Sequence, residues 1–165
     1  MYLGEPYVRT QFIVRGKHFT VIAAANPLGF IFYRIFDGPV NDDSFIEFLN
    51  LLSINIVPDQ FGIIDNASIH RTNQARIKLE EVFNGRYLFC SPYSPHLKPI
   101  EKCFKLVKAY ITYLELKTIE DYRTPVDLIN NAFNCFKIGG IHSGGIMGCW
   151  QDYFTLHSNY LNNDL

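Results

Sequence analysis

The sequence predicts a mixed α/β fold, a sheet with antiparallel and parallel strands and helices on both faces. Three observations lead there. Two β-rich apolar runs, His18–Ala25 and Phe30–Phe36, are split by Asn26-Pro27-Leu28-Gly29. Pro at the second and Gly at the fourth position mark a turn, so the pair reads as an antiparallel hairpin. Beyond it, short apolar runs alternate with helical-period segments, the pattern of strand–helix units. Apolar residues make up 48% and aromatics 15% of the 165 residues, enough to build a core at the size of a single domain.

Residues 1–16 contain Gly4, Pro6 and Gly16 and read as an extended lead-in with a short strand at Val8–Val14. After the hairpin, Asp37-Gly38-Pro39 breaks the chain. Asn41 or Asp42 caps a helix whose apolar face is Phe45, Ile46, Phe48, Leu49 and Leu52. Phe61–Ile64 is a short buried strand with Asp65 at its exit. Thr72 caps a helix running to Phe83, closed by Asn84-Gly85. Arg86–Cys90 is another short strand, and a loop set by Pro92, Pro95 and Pro99 follows. From Pro99 a helix buries Ile100, Phe104, Val107, Ile111 and Leu114, and turns Lys98, Glu101, Lys102, Lys105 and Lys108 outward. Residues 120–136 form one more helix despite Pro125, and the glycine-dotted tail ends in a loop and a short packing helix. We take residues 1–165 as one domain, with 116–165 as a helical carboxy-terminal extension.

Composition excludes several classes. No apolar run reaches the roughly 18 residues of a membrane span. Met1-Tyr2-Leu3-Gly4-Glu5-Pro6 lacks the basic-then-apolar pattern of a secretory leader, so an intracellular protein is expected. Cys90, Cys103, Cys135 and Cys149 include no Cys-x-x-Cys and read as buried free thiols in a reducing compartment. The net charge of −1 argues against a generic nucleic-acid binder, but its distribution is uneven. Residues 65–110 hold eight Lys/Arg against four Asp/Glu, whereas both flanks are acidic. The positive charge collects around Asp65 and Glu101, where it would steer a polyanion.

Those two acids are the candidate site. Pro99 suits the first position of a helix, which places Glu101 in the first turn, where the helix dipole favours negative charge. Asp65 leaves a strand at its carboxyl end, the usual place for sites in open α/β sheets. Oxygen-only ligands favour Mg²⁺ or Mn²⁺ over zinc. Two such ions about 4 Å apart serve phosphodiester cleavage or transfer, chemistry that usually wants at least three carboxylates. Lys98, Lys102 and Lys105 are candidate phosphate contacts, and His70, five residues past Asp65, is a further candidate contact to nucleic acid, water or a metal-bound group, or a polar loop residue hydrogen-bonded to its neighbours. Either acid alone would read as a turn or helix-start residue.

Together these stretches resemble a known family. Ile64-Asp65-Asn66-Ala67-Ser68-Ile69-His70 is similar to the second-Asp motif of the mariner-type transposases. Ser91-Pro92-Tyr93-Ser94-Pro95-His96-Leu97-Lys98-Pro99-Ile100-Glu101 is similar to the motif that ends in their third acid. Thirty-five residues lie between Asp65 and Glu101, within the family's spacing. Arg15–Ala24 resembles its second strand and Asn41–Leu52 its helix before the second Asp, so the likeness covers about residues 5–115.

The resemblance implies a ribonuclease H-like fold and an Asp-Asp-Glu site in which Asp65 and Glu101 ligate Mg²⁺ or Mn²⁺ for cleavage and joining of double-stranded DNA at transposon ends. It also implies a nuclear location in a eukaryotic host. Two departures qualify it. The family's first Asp lies on the first strand of the sheet, upstream of the segment Arg15–Ala24 matches. The expectation is therefore a sheet lacking that strand, a domain with little activity alone, and dimerisation through the gap. His96 and Lys98 also stand where the motif carries Asp and Asn, and losing the Asn cap costs about 1 kcal/mol. The alternative is a non-catalytic remnant that binds DNA or protein.

Overall fold

The computed structural model describes residues 6–14, 17–90, 99–117 and 124–151. Among the described residues five strands form one sheet: β1 (Pro6–Val14), β2 (Lys17–Asn26), β3 (Gly29–Asp37), β4 (Gly62–Ile64) and β5 (Tyr87–Phe89), in the order β3-β2-β1-β4-β5. The first three pair antiparallel, and β1–β4 and β4–β5 pair parallel.

Four helices have defined bounds: α1 (Asp42–Leu52), α2 (Asn73–Phe83), α3 (Pro99–Lys117) and α4 (Pro125–Phe136). Residues 143–151 are helical as well. The chemistry of the ends follows the expected residues. The Asn41 side chain accepts the Ser44 N–H, Thr72 accepts that of Ala75, and Asn84 closes α2 in the left-handed conformation. Thr124 and Asp127 form a reciprocal capping box ahead of α4, with Pro125 in the first turn where its missing N–H is harmless.

Alternation along β2 separates two apolar layers. Phe19, Val21, Ala23 and Ala25 join α3, α4 and Trp150 on one face. Ile22, Ala24 and Ile64 join α1 and α2 on the other. This period-two division is what a strand buried on both faces requires. Phe30, Phe104 and Phe133 meet edge-to-face at the centre of the first layer. The tail's packing helix is real: Ile146, Cys149 and Trp150 are buried in that layer. None of the four cysteines forms a disulfide; Cys103 and Cys149 are buried as expected, while Cys90 and Cys135 are only half-buried. A hydrogen bond with Cys149, then burial, pushes the Cys103 thiol far above its ordinary range.

One expectation changes. The sheet was expected to lack its first strand, yet β1 fills the position between β2 and β4 over nine residues. The physical reason is that two open strand edges flank that position, and any β-competent segment preceding β2 satisfies their backbone groups by pairing. The gap proposed for dimerisation is therefore closed. The sequence of β1, Pro-Tyr-Val-Arg-Thr-Gln-Phe-Ile-Val, contains no Asp or Glu.

Candidate functional site

Asp65 is the first residue beyond β4, and the strand is pinned on both sides of it. Ile64 is buried beneath α1 and α2, and its carbonyl accepts the Cys90 N–H at 2.7 Å, continuing the β4–β5 pairing. The chain then turns sharply. Oδ1 of Asp65 accepts the Ala67 N–H at 3.2 Å, an Asx turn that holds the carboxylate against its own backbone. A short 3-10 turn, Ser68–His70, follows, with the His70 N–H donating to the Ala67 carbonyl at 3.0 Å. Asn66 Oδ1 accepts a hydrogen bond from Arg71 Nη1 at 3.1 Å.

His70 lies elsewhere than expected. Its side chain has no exposed surface, its ring sits 4.0 Å from that of Phe45 on α1, and its Nδ1 pairs with Oδ1 of Asp65. A residue so buried makes no direct contact with nucleic acid, which corrects its place among the expected DNA contacts. The reason is the 3-10 turn, which folds residue 70 back beneath residue 65 instead of letting the loop run outward. Sequence spacing alone carried no sign of this. The supporting parts that went unnoticed, the Ala67 N–H and the Phe45 ring, had no signal beyond an Asp followed five residues later by a His.

Glu101 is the third residue of α3, half-buried in the first turn. Ile100, Cys103, Phe104, Val107, Ile111 and Leu114 point into the core, which fixes the helix's rotation. Lys105 and Lys108 are exposed and Lys102 is half-buried, so a basic stripe runs along the outer side. Lys98, His96 and the rest of the proline loop over residues 91–98 lie outside the described residues, as does Glu5. Asp42 and Asp43 occupy the first turn of α1, a favourable place for carboxylates at a helix start, and Asp37 ends β3.

Topology relates the two acids. β1 lies beside β4 in parallel, with Tyr7 level with Ile64. α3 packs against β1. The helix bearing Glu101 thus covers the strand next to the one that delivers Asp65. Among the described residues, no group of three or more His, Cys, Asp or Glu side chains gathers to hold a metal ion. The two carboxylates suit a hard divalent cation in kind, as oxygen donors, and fall short in number. Grooves of about 590 Å³ along β3 and α4 and about 600 Å³ beside α3 and His142 are lined by neither acid.

Comparison with known proteins gives a consistent set of likenesses. A family model described as DDE superfamily endonuclease matches residues 3–123. No curated protein gives a significant match. Among solved structures, the catalytic domain of Mos1 mariner transposase is 18% identical with a TM-score of 0.65, over 92% of this chain and 75% of that one. The HTLV-2 integrase catalytic core domain, in complex with magnesium, is 10% identical with a TM-score of 0.60, over 82% and 86%. An intasome chain of simian T-cell lymphotropic virus is 9% identical with a TM-score of 0.67, over 81% and 48%. The chain thus spans about half the length of the intasome chain it matches. Identities this low speak for the fold alone, and the fold they share is the ribonuclease H-like sheet with helices on both faces.

Proposed function

The chain belongs to the DDE superfamily of endonucleases, and from that premise we propose that Asp65 and Glu101 are the second and third acids of its metal site, in a domain built for DNA strand cleavage and transfer. The observation that carries this reading is topological. Asp65 leaves the carboxyl end of β4, and the helix bearing Glu101 packs on β1, the strand beside β4. The remaining parts of the reading are that residues 1–165 form one partial catalytic domain and that 116–165 are its helical extension.

Mg²⁺ or Mn²⁺ is the fitting cation. The Mos1 catalytic domain has been solved with Mn and with Mg, and the integrase core with magnesium. A bound divalent ion would supply Lewis acidity to phosphodiester oxygens. Two carboxylates repel one another and hold such an ion weakly without a third ligand group. With no acid on β1, we propose that this chain alone has little or no nuclease activity. Incubated with supercoiled plasmid and Mn²⁺, it should leave the plasmid unnicked. Clear nicking that disappears in Glu101→Ala would overturn the proposal of inactivity.

What the residues present do is engage the polyanion. Lys102 and Lys105 on α3 contact backbone phosphates of double-stranded DNA, with Lys98 as a third contact, and the surrounding positive field draws the duplex in. Affinity should fall linearly in log–log form with salt. In Lys102→Ala/Lys105→Ala, the slope should shrink by about 1.8, the loss of two phosphate contacts. Fluorescence anisotropy on a short duplex measures both. An unchanged slope would remove α3 from the interface.

The second reading, a non-catalytic DNA-binding or protein-interaction remnant, is favoured by the acid-free β1. It predicts DNA binding indifferent to divalent metal. A nuclear location in a eukaryotic host belongs to the proposal, as does assembly as a homodimer, which now rests on the dimeric form of the integrase core and not on a gap in the sheet. No described helix is long and apolar enough to cross a membrane.

A further inference from the structure

His70 presents a puzzle that the Asp65 site resolves. Its side chain has no exposed surface, and its Nε2 is buried with no hydrogen-bond partner. An unsatisfied buried nitrogen carries a desolvation cost that a leucine or phenylalanine packed on Phe45 would avoid. The same ring places Nδ1 on Oδ1 of Asp65, with the Asp65 carbonyl 3.4 Å away. Only one proton arrangement serves both ends. A proton on Nε2 would be buried without an acceptor, and the Nδ1 lone pair would then face a carboxylate. A proton on Nδ1 donates to Oδ1 and leaves Nε2 as a bare acceptor. The hydrogen-bond network thus assigns the Nδ1–H tautomer.

We infer that His70 is a positioning residue: through its Nδ1–H it fixes the rotation of the Asp65 carboxylate, and so the direction in which that carboxylate meets a cation. The inference rests on reading Asp65 as a metal ligand. Oδ1 receives two donors, the Ala67 N–H and His70, approaching from the chain's own turn and from the buried side. Two donors on one oxygen set the plane of the whole carboxylate and with it the second oxygen. Phe45, ring to ring with His70 at 4.0 Å, keeps the imidazole from swinging away. Groups hydrogen-bonded behind a metal-binding side chain commonly set affinity in this way. The sequence Asp65-Asn66-Ala67-Ser68-Ile69-His70 is then a single device, with a carboxylate at one end and its clamp at the other.

The test has two arms. First, ¹⁵N NMR of the metal-free protein reads the His70 tautomer. The expected result is a proton on Nδ1 whose signature changes in Asp65→Ala. A proton on Nε2 would overturn the inference. Second, Mn²⁺ titration followed by paramagnetic broadening reads binding near Asp65. His70→Phe keeps the contact with Phe45 and removes the donor. It should melt at or above the wild-type temperature yet bind Mn²⁺ about tenfold more weakly. His70→Asn, whose amide N–H falls near the Nδ1 position, should restore most of the affinity. His70→Gln, whose amide reaches further, should not.

The Asn and Gln variants carry the same chemistry, so a fold defect in His70→Phe leaves the contrast intact. Equal Mn²⁺ affinity in all variants would overturn the positioning role. If wild type shows no binding that Asp65→Ala removes, the metal-ligand reading fails. The tautomer then decides separately whether His70 clamps Asp65.

Discussion

Gly29→Ala is expected to destabilise the protein by about 2–4 kcal/mol, more than removal of any single surface contact. Gly29 begins β3 with φ at +143°, a conformation L side chains rarely adopt. A Cβ built there would lie 2.7 Å from the Ile138 nitrogen and 2.8 Å from both the Lys137 carbonyl carbon and the Phe136 oxygen. All three are backbone atoms, so no rotamer change makes room. What would separate is the clasp between the hairpin and the end of α4, where Ile138 N–H donates to the Phe30 carbonyl at 3.1 Å and Phe30 pairs with Lys137.

That clasp fixes α4, whose Leu128, Ile129, Ala132, Phe133 and Phe136 are all buried. Urea unfolding should show a lower midpoint at an unchanged slope. Gly38→Ala is the control: its φ is +88° but nothing lies within 4 Å of the new carbon. It bears only the backbone strain, about 1 kcal/mol. Equal midpoints for the two variants would show that the close approach at Gly29 is not what matters.

The clasp also marks where sequence reading stops. Much of what is decided within a few residues was legible, though not the Asx turn at Asp65. Asn41, Thr72 and Asn84 announced helix ends because caps are local chemistry, and each performs that role; the box of Thr124 and Asp127 ahead of α4 went unread because the helix was taken to start at residue 120. The inward stripe Ile100, Phe104, Val107, Ile111, Leu114 was legible because helical period maps directly onto burial. Asn26-Pro27-Leu28-Gly29 foretold the hairpin, but not that Gly29 is needed for contact with a segment over a hundred residues later. The bridge from Phe30 to Lys137 depends on the whole of α3 and α4 being in place.

The same limit applies to the site. The existence of two acids at a strand exit and a helix start could be read from Gly62–Ile64 and from Pro99. The burial of His70 could not, because a loop histidine's exposure depends on Phe45, which comes from another element. Nor could the pairing of β1. Residues 6–14 carry a strand signal over Val8–Val14, but which strands they join, β2 on one side and β4 on the other, depends on segments elsewhere in the chain.

The register of β1 leads to the prediction with the largest functional effect, that Val8→Asp creates a three-carboxylate site. Tyr7 stands level with Ile64 on β4, so the next residue, Val8, stands level with Asp65. Across the other edge Val8 pairs with Ala23, which belongs to the layer covered by α3, the helix of Glu101. A carboxylate at position 8 would thus stand at the register position next to Asp65, on the strand against which the helix of the third acid packs.

Without metal, the added charge should lower stability by about 1–3 kcal/mol, from desolvation and from repulsion by Asp65. A divalent ion reverses this, since a ligand at a hundred times its dissociation constant stabilises by about 2.7 kcal/mol. The melting temperature of Val8→Asp should therefore start below wild type and rise above it with Mn²⁺, while wild type moves little. Glu101→Ala in the same background should abolish the rise, and Thr10→Asp, two residues further along β1, should not produce it. With the site completed, Mn²⁺-dependent nicking of plasmid should appear and depend on Glu101. A Val8→Asp protein whose melting ignores Mn²⁺ would mean that Asp65 and Glu101 do not converge on that point of β1, and the proposed metal site would fall with it.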